Sequence, residues 1–170
     1  MPRNRTARVA VLGSPVQRSA TSGSPSTRSS AFRRRRCLVP ADGFFEWKKD
    51  GKHKTPMWIH PEDHRYFAFA GLWAKAKTDA GELHSYTIIT GPPNPLVSPI
   101  HDRMPVILDR STWAAWLDPG TAPHAARELL VVPPVTGWSA EPVSPWVNSA
   151  DHDDPRCIEL ADAPAQRSLF

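Results

Sequence analysis

Residues 35–48 run Arg35-Arg36-Cys37-Leu38-Val39-Pro40-Ala41-Asp42-Gly43-Phe44-Phe45-Glu46-Trp47-Lys48. Two short strands are read from this stretch, Arg36–Val39 and Phe44–Lys48, because apolar and β-branched or aromatic residues cluster there between turn formers. Working outward, the same texture recurs at Pro56–Ile59, Phe67–Leu72, Tyr86–Thr90 and Pro105–Leu108. The spacers are Asp50-Gly51, Pro61-Glu62-Asp63 and Asp79-Ala80-Gly81, and the first two carry hairpin or turn chemistry. Two short helices follow: Ser111 is placed to cap Thr112–Leu117, and Pro123 opens His124–Leu130. Prolines at 92–93, 95, 99, 133–134, 142 and 145 remove ladder donors, so ordered loops or edge strands are expected around them. The pattern predicts an α+β fold: a β-rich, curved, partly closed sheet with a few short helices, and no internal repeat.

With 170 residues, 40% of them hydrophobic, the chain has the length of one domain. It holds no apolar run of about 18 residues that would span a bilayer. Two cysteines, Cys37 and Cys157, cannot form a multi-disulfide scaffold or a four-cysteine zinc site, and no apolar signal core follows Met1 to Arg8. A reduced, cytoplasmic protein without membrane association is therefore expected. The charge is uneven. Residues 1–36 carry nine arginines and no acid, whereas all 17 acidic residues lie beyond them. That segment has fifteen Ser, Thr, Pro or Gly residues and five of Val, Leu, Ile or Phe, too little apolar surface to offset the entropy of ordering it. Residues 1–31 are accordingly expected to form a disordered basic arm, 32–160 the folded domain and 161–170 a flexible tail.

The run from Arg35 to Lys48 resembles the signature of the SOS-response-associated peptidase (SRAP) family, the abasic-site processing proteins. Two further blocks are similar to the same family: Phe67-Ala68-Phe69-Ala70-Gly71-Leu72-Trp73, and Thr87-Ile88-Ile89-Thr90 through Pro99-Ile100-His101-Asp102-Arg103-Met104-Pro105-Val106-Ile107-Leu108. A weaker block, Pro142-Val143-Ser144 to Val147-Asn148, resembles the family's C-terminal strand. The resemblance implies a SRAP-like fold, binding of single-stranded DNA with abasic sites, and a covalent protein–DNA crosslink to the ring-opened aldehyde. It also implies an autoprocessing peptidase step, no cofactor and no metal, a monomer, and nucleoid association when DNA is bound. In the family one cysteine, exposed when the initiator methionine is removed, supplies an amine for the Schiff base and a thiol that closes a thiazolidine. Acid–base help comes from a glutamate and a histidine that carry over by position to Glu46 and His101. The family opens Met-Cys-Gly-Arg and continues through further strands and an Asn-Ala-Arg segment, whereas this chain opens Met1-Pro2-Arg3-Asn4. It therefore reads as an N-terminally truncated member, and the alternative function is a non-catalytic DNA-binding remnant or an inactive truncated fragment, because the N-terminal cysteine nucleophile is absent. Loss of those strands would leave Val39, Phe45, Ile88 and Ile107 beside an open edge or an exposed apolar patch.

Each candidate also has a plainer reading. Glu46 alternates with Phe45 and Trp47 as a solvent-facing strand residue would, and His101 fits a loop histidine paired with Asp102. Arg33, Arg34, Arg35 and Arg36 are either phosphate contacts or a solvated run. Trp47, Trp58 and Trp73 could stack on bases, with Trp47 and Trp73 assigned to DNA, whereas Trp113 and Trp116 share a helix face in the manner of core residues. Cys37 reads as a buried strand thiol of low reactivity, and Cys157 as incidental. An N-terminal Pro2 amine would form an iminium with an aldehyde. His60 and His64 lack a third ligand in reach by sequence, so the segment between them reads as a charged loop rather than a metal site.

Overall fold

Strand formation follows the aromatic and β-branched clusters closely. The computed structural model describes residues 9–10, 25–79 and 81–161. In chain order these form β1 (Val9–Ala10), α1 (Pro25–Arg34), β2 (Arg36–Ala41), β3 (Phe44–Asp50) and β4 (His53–Pro61), followed by β5 (Phe67–Thr78) and β6 (Gly81–Ile88). Then come β7 (Thr90–Gly91), β8 (Met104–Pro105), β9 (Ile107–Leu108), α2 (Trp113–Leu117), α3 (Pro123–Glu128) and β10 (Trp138–Pro142). One sheet has the order β1-β3-β4-β10, a second the order β2-β5-β6 with β9 also on β5, and β7 pairs with β8. The fold is α+β, and no closed barrel forms among the described residues.

Three apolar clusters explain the layering. Phe44 and Ile59 of the first sheet pack against Val39, Phe67, Phe69 and Ile107 of the second, with Phe44 edge-on to Phe69 at 5.8 Å. On the far side of the second sheet, Ala70 and Leu108 meet Trp116 of α2, Ala126 of α3 and Phe32 of α1. On the far side of the first sheet, Phe45 and Trp58 meet Val143, Cys157 and Trp146 of the C-terminal segment. Helices, two sheets and C-terminal turns are thus stacked in four layers, each buried by its neighbour.

Several local expectations change for identifiable reasons. A helix occupies Pro25–Arg34, partly inside the stretch assigned to a disordered arm, and Phe32 is the apolar side chain that packs it onto Trp116 at 5.9 Å. Positions 1–8, 11–24 and 162–170, and with them Pro2 and most of the predicted tail, lie outside the described residues. Pro61-Glu62-Asp63 makes a turn but not a hairpin: β4 belongs to one sheet and β5 to the other, so this connection crosses between them. By contrast, β5 and β6 pair antiparallel up to Thr78 and Gly81, the two sides of the third predicted spacer, whose Ala80 lies outside the described residues. The predicted strand Tyr86–Thr90 breaks at Ile89, whose N–H donates to Ala70 while its carbonyl accepts from Val106, because the chain there leaves one sheet for the β7–β8 pair. Asp109, not Ser111, caps the turn that leads into α2. The C-terminal strand is Trp138–Pro142, upstream of the segment chosen from the resemblance, and Pro145–Asn148 is a 3₁₀ turn. Val39, Phe45 and Ile107 are buried and Ile88 packs against the inter-sheet cluster, so they do not form an exposed patch.

Gly51 takes φ 56° in the two-residue β3–β4 turn, a conformation that L side chains rarely adopt. Gly43 has a different constraint, since a Cβ there would lie 2.2 Å from the Trp58 ring. Gly43→Ala is expected to cost about 1–3 kcal/mol by overpacking, read as a lower urea midpoint with an unchanged slope.

Candidate active site

Strand β3 places Glu46 next to Phe44 and Phe45, which are buried in opposite clusters. By strand alternation Glu46 shares the face of Phe44 and points into the space between the sheets. It is only 1% exposed, and its Oε2 has no hydrogen-bond partner. The solvent-facing reading of this residue is therefore set aside. Burial without compensation disfavours the carboxylate, and the Glu46 carboxyl is pushed up to about 7. The Trp47 N–H opposes this rise and the nearby negative charge of Asp102 adds to it. At neutral pH Glu46 is thus an acid and a base in comparable amounts.

The Asp102 charge ties this carboxyl to the loop between β7 and β8, where His101 sits. The imidazole Nδ1 lies 3.1 Å from both the N–H and the carbonyl of Arg103 and 3.2 Å from Asp102 Oδ1. Its ring is oriented by its own loop. That loop is in turn anchored at both ends. Arg103 donates from Nε to Thr90 Oγ1 at 3.0 Å and from Nη2 to the Thr90 carbonyl at 2.7 Å, across the β7–β8 ladder. Buried Asn94 accepts the Val97 N–H at 3.0 Å and donates to the Pro133 carbonyl at 3.4 Å. Asn94, Asp102 and Arg103 hold this loop and its imidazole through contacts that the sequence left unassigned, although Asp102 and Arg103 stand beside His101 in the quoted block.

The arginine run divides. Arg33 and Arg34 are exposed and Arg35 is half-buried. Arg36 is 7% exposed and its guanidinium donates to the carbonyls of Trp116, Phe32, Arg33, Asp118 and Thr121. All five of its donors are engaged inside the protein, so its role is to join α1, β2 and the end of α2. Trp47, half-buried, donates from Nε1 to Asn148 Oδ1 at 2.7 Å. Trp73 lies in the other sheet, on β5. Cys37 is half-buried on β2 with its thiol pushed up by desolvation, which suppresses the thiolate. Cys157 is not incidental but a core residue, 1% exposed and packed with Phe45 and Trp58. The rings of His60 and His64 stack in parallel at 5.2 Å, and His60 Nε2 meets Glu141 at 3.3 Å. No group of three metal-ligating side chains occurs among the described residues. No helix among them is long and apolar enough to cross a membrane.

Residues 18–150 match the SOS response associated peptidase (SRAP) family. The chain belongs to that family. Among SRAP relatives, it is 44% identical over 128 residues to the abasic site processing protein YoqW of Bacillus subtilis, covering 74% of this chain and 57% of that protein. It is 33% identical over 151 residues to the abasic site processing protein HMCES of Xenopus tropicalis, covering 77% and 45%. A crystal structure of a protein from Bacteroides thetaiotaomicron superposes with a TM-score of 0.73 at 29% identity, over 81% of this chain and 61% of that one. One from Bordetella bronchiseptica gives 0.62 at 26% identity, over 68% and 58%. The chain therefore spans roughly half to three-fifths of the length of these SRAP proteins.

In this SRAP chain the buried carboxyl carries a measurable cost. Between pH 4.5 and about 7 the native Glu46 keeps a proton that the unfolded chain has released, so stability falls as pH rises through that window. Glu46→Gln removes the cost. The variant is expected to be more stable than wild type above pH 7, by up to roughly 3 kcal/mol, and equal to it below pH 4.5; urea titrations at the two ends of the range test this.

Proposed function

We propose that this chain processes abasic sites in single-stranded DNA by covalent capture of the ring-opened aldehyde, with Glu46 and His101 as its acid–base pair. The observation that carries the reading is the buried Glu46 carboxyl, held at about 7 within electrostatic reach of the His101–Asp102 corner. That its relatives are named abasic site processing proteins supports the substrate.

The chemistry is as follows. A protein amine adds to the aldehyde carbon and gives a carbinolamine. The carbinolamine hydroxyl leaves as water after taking the Glu46 proton, and the nitrogen lone pair forms the C=N bond. The Glu46 carboxylate is then placed to take a proton back from an incoming nucleophile, and His101 to relay a proton at the same carbon. The same pair serves the family's self-directed peptidase step, where a leaving amine needs a proton. Arg33, Arg34 and Arg35 contact phosphates, while Trp47, fixed by Asn148, offers a ring face to a base.

Incubation with an oligonucleotide bearing one abasic site, followed by denaturing electrophoresis, is expected to show a heat-stable adduct. Glu46→Gln and His101→Ala should each slow its formation by about 10²–10⁴-fold. Because the dehydration uses the protonated acid, the wild-type dehydration rate should decline above pH 7, and Glu46→Gln should lack that decline. Retardation on a native gel without any adduct would overturn covalent capture and leave single-strand binding.

A further inference from the structure

The second sheet carries a cavity that the acid–base site does not use. It measures 370 Å³ and is lined by Cys37 and Val39 of β2, Trp73 of β5, and His84, Ser85 and Tyr86 of β6. Trp73 and Tyr86 are direct cross-strand partners, 36% and 62% exposed. Two large rings standing open on one sheet face call for a ligand, because monomeric proteins usually cover such surface. The volume is near the lower end of the roughly 300–1,000 Å³ typical of small-molecule pockets and suits a planar heterocycle. Its polar wall members, His84 and Ser85, can address the edge of such a ring.

The surroundings identify what the heterocycle is attached to. The Trp73 backbone N–H donates to the Arg35 carbonyl at 2.8 Å, which fixes the start of β2 against β5 beside the cavity. Lys75 and Lys77 continue along the face that Trp73 occupies. The one acid among their cross-strand neighbours, Glu82, pairs with Lys75 at 3.1 Å and contacts the His84 ring at 2.6 Å. Aromatic rings beside a row of cations form the combination that holds single-stranded nucleic acid: stacking for bases, charge for phosphates.

We infer that this cavity is a base subsite, in which one unpaired base of a single-stranded DNA stacks against Trp73 and Tyr86 while its flanking phosphates meet Lys75 and Lys77 on the same face. The inference rests on the single-stranded DNA reading proposed above and names a second contact point on that strand, in the other sheet from Glu46.

Cys37 lines the cavity and Cys157 is buried, so maleimide labelling of Cys37 at mildly alkaline pH reports occupancy. Undamaged oligothymidylate of about 12 nucleotides, within the site sizes of single-strand binders, is expected to slow that labelling at least about fivefold. A base-free deoxyribose-phosphate strand of the same length should not slow it. Trp73→Leu should abolish the protection and weaken binding, read by fluorescence anisotropy, about five- to hundredfold. Tyr86→Leu alters a mostly exposed ring and tests the same point where Trp73→Leu fails to fold. Equal protection by the base-free strand would overturn the subsite, as would binding with neither protection nor any effect of the variants, and in both cases single-strand binding would stand. Protection by oligouridylate alone would overturn the assignment to DNA. Absence of binding to any strand by the wild-type chain would overturn the single-strand reading and the subsite together.

Discussion

Strand β3 is covered on both faces. Phe44 is buried between the sheets and Phe45 is buried beneath the C-terminal segment, so the next residue, Glu46, is left only 1% exposed. Every chemical property of the site depends on that enclosure. In water a glutamate would be ionised and useless as an acid at neutral pH; here desolvation holds the carboxyl at about 7. The neighbouring Asp102 adds to the effect through a loop far away in sequence. A fold that keeps an unpartnered carboxyl oxygen between two apolar sheets gives up stability for a titratable group in the right range.

The loop carrying His101 is proline-rich and has little regular structure, yet it is held firmly. Asn94 ties its start to Pro133, and Arg103 ties its end to Thr90 across a two-residue ladder. Arg36 performs a comparable task elsewhere, gathering five carbonyls from α1, α2 and the turn after α2. Where helix ends and loops leave acceptors without partners, a guanidinium with five fixed donors satisfies several at once. Arginine is thus used in two ways over four consecutive positions: Arg36 is spent inside the fold, and Arg33 and Arg34 remain in solvent.

Trp47 and the Trp73–Tyr86 pair stand in different sheets. Trp47 is on β3, on the face opposite Glu46 and against the C-terminal segment, whereas Trp73 and Tyr86 are on β5 and β6 around a cavity. Nothing in their spacing along the sequence separates these groups; the crossing between β4 and β5 does.

Local chemistry made much of this legible. The strands from Arg36 to Leu72 and the helix after Pro123 follow from side-chain type and from proline and glycine, because those signals act within a few residues. The motif around Phe44 to Lys48 and the one around His101 identified both acid–base candidates. What the sequence could not supply was environment. Alternation alone left Glu46 pointing to solvent, since a strand sandwiched between two cores and a half-exposed strand differ only in what packs on them. Arg36 could not be distinguished from Arg34, nor Cys157 from an incidental thiol, because the contacts that bury them include residues far along the chain: Trp116 for Arg36, and Phe45 and Trp58 for Cys157. Strand β10, Trp-Ser-Ala-Glu-Pro, has almost no strand propensity of its own and exists because β4 offers it a ladder. By itself the sequence determined most of the strands and the residue types at the candidate site; the tertiary structure decided α1, β10, and which residues meet and which are shielded from water, because burial and long-range pairing are properties of the packed chain and not of any segment in it.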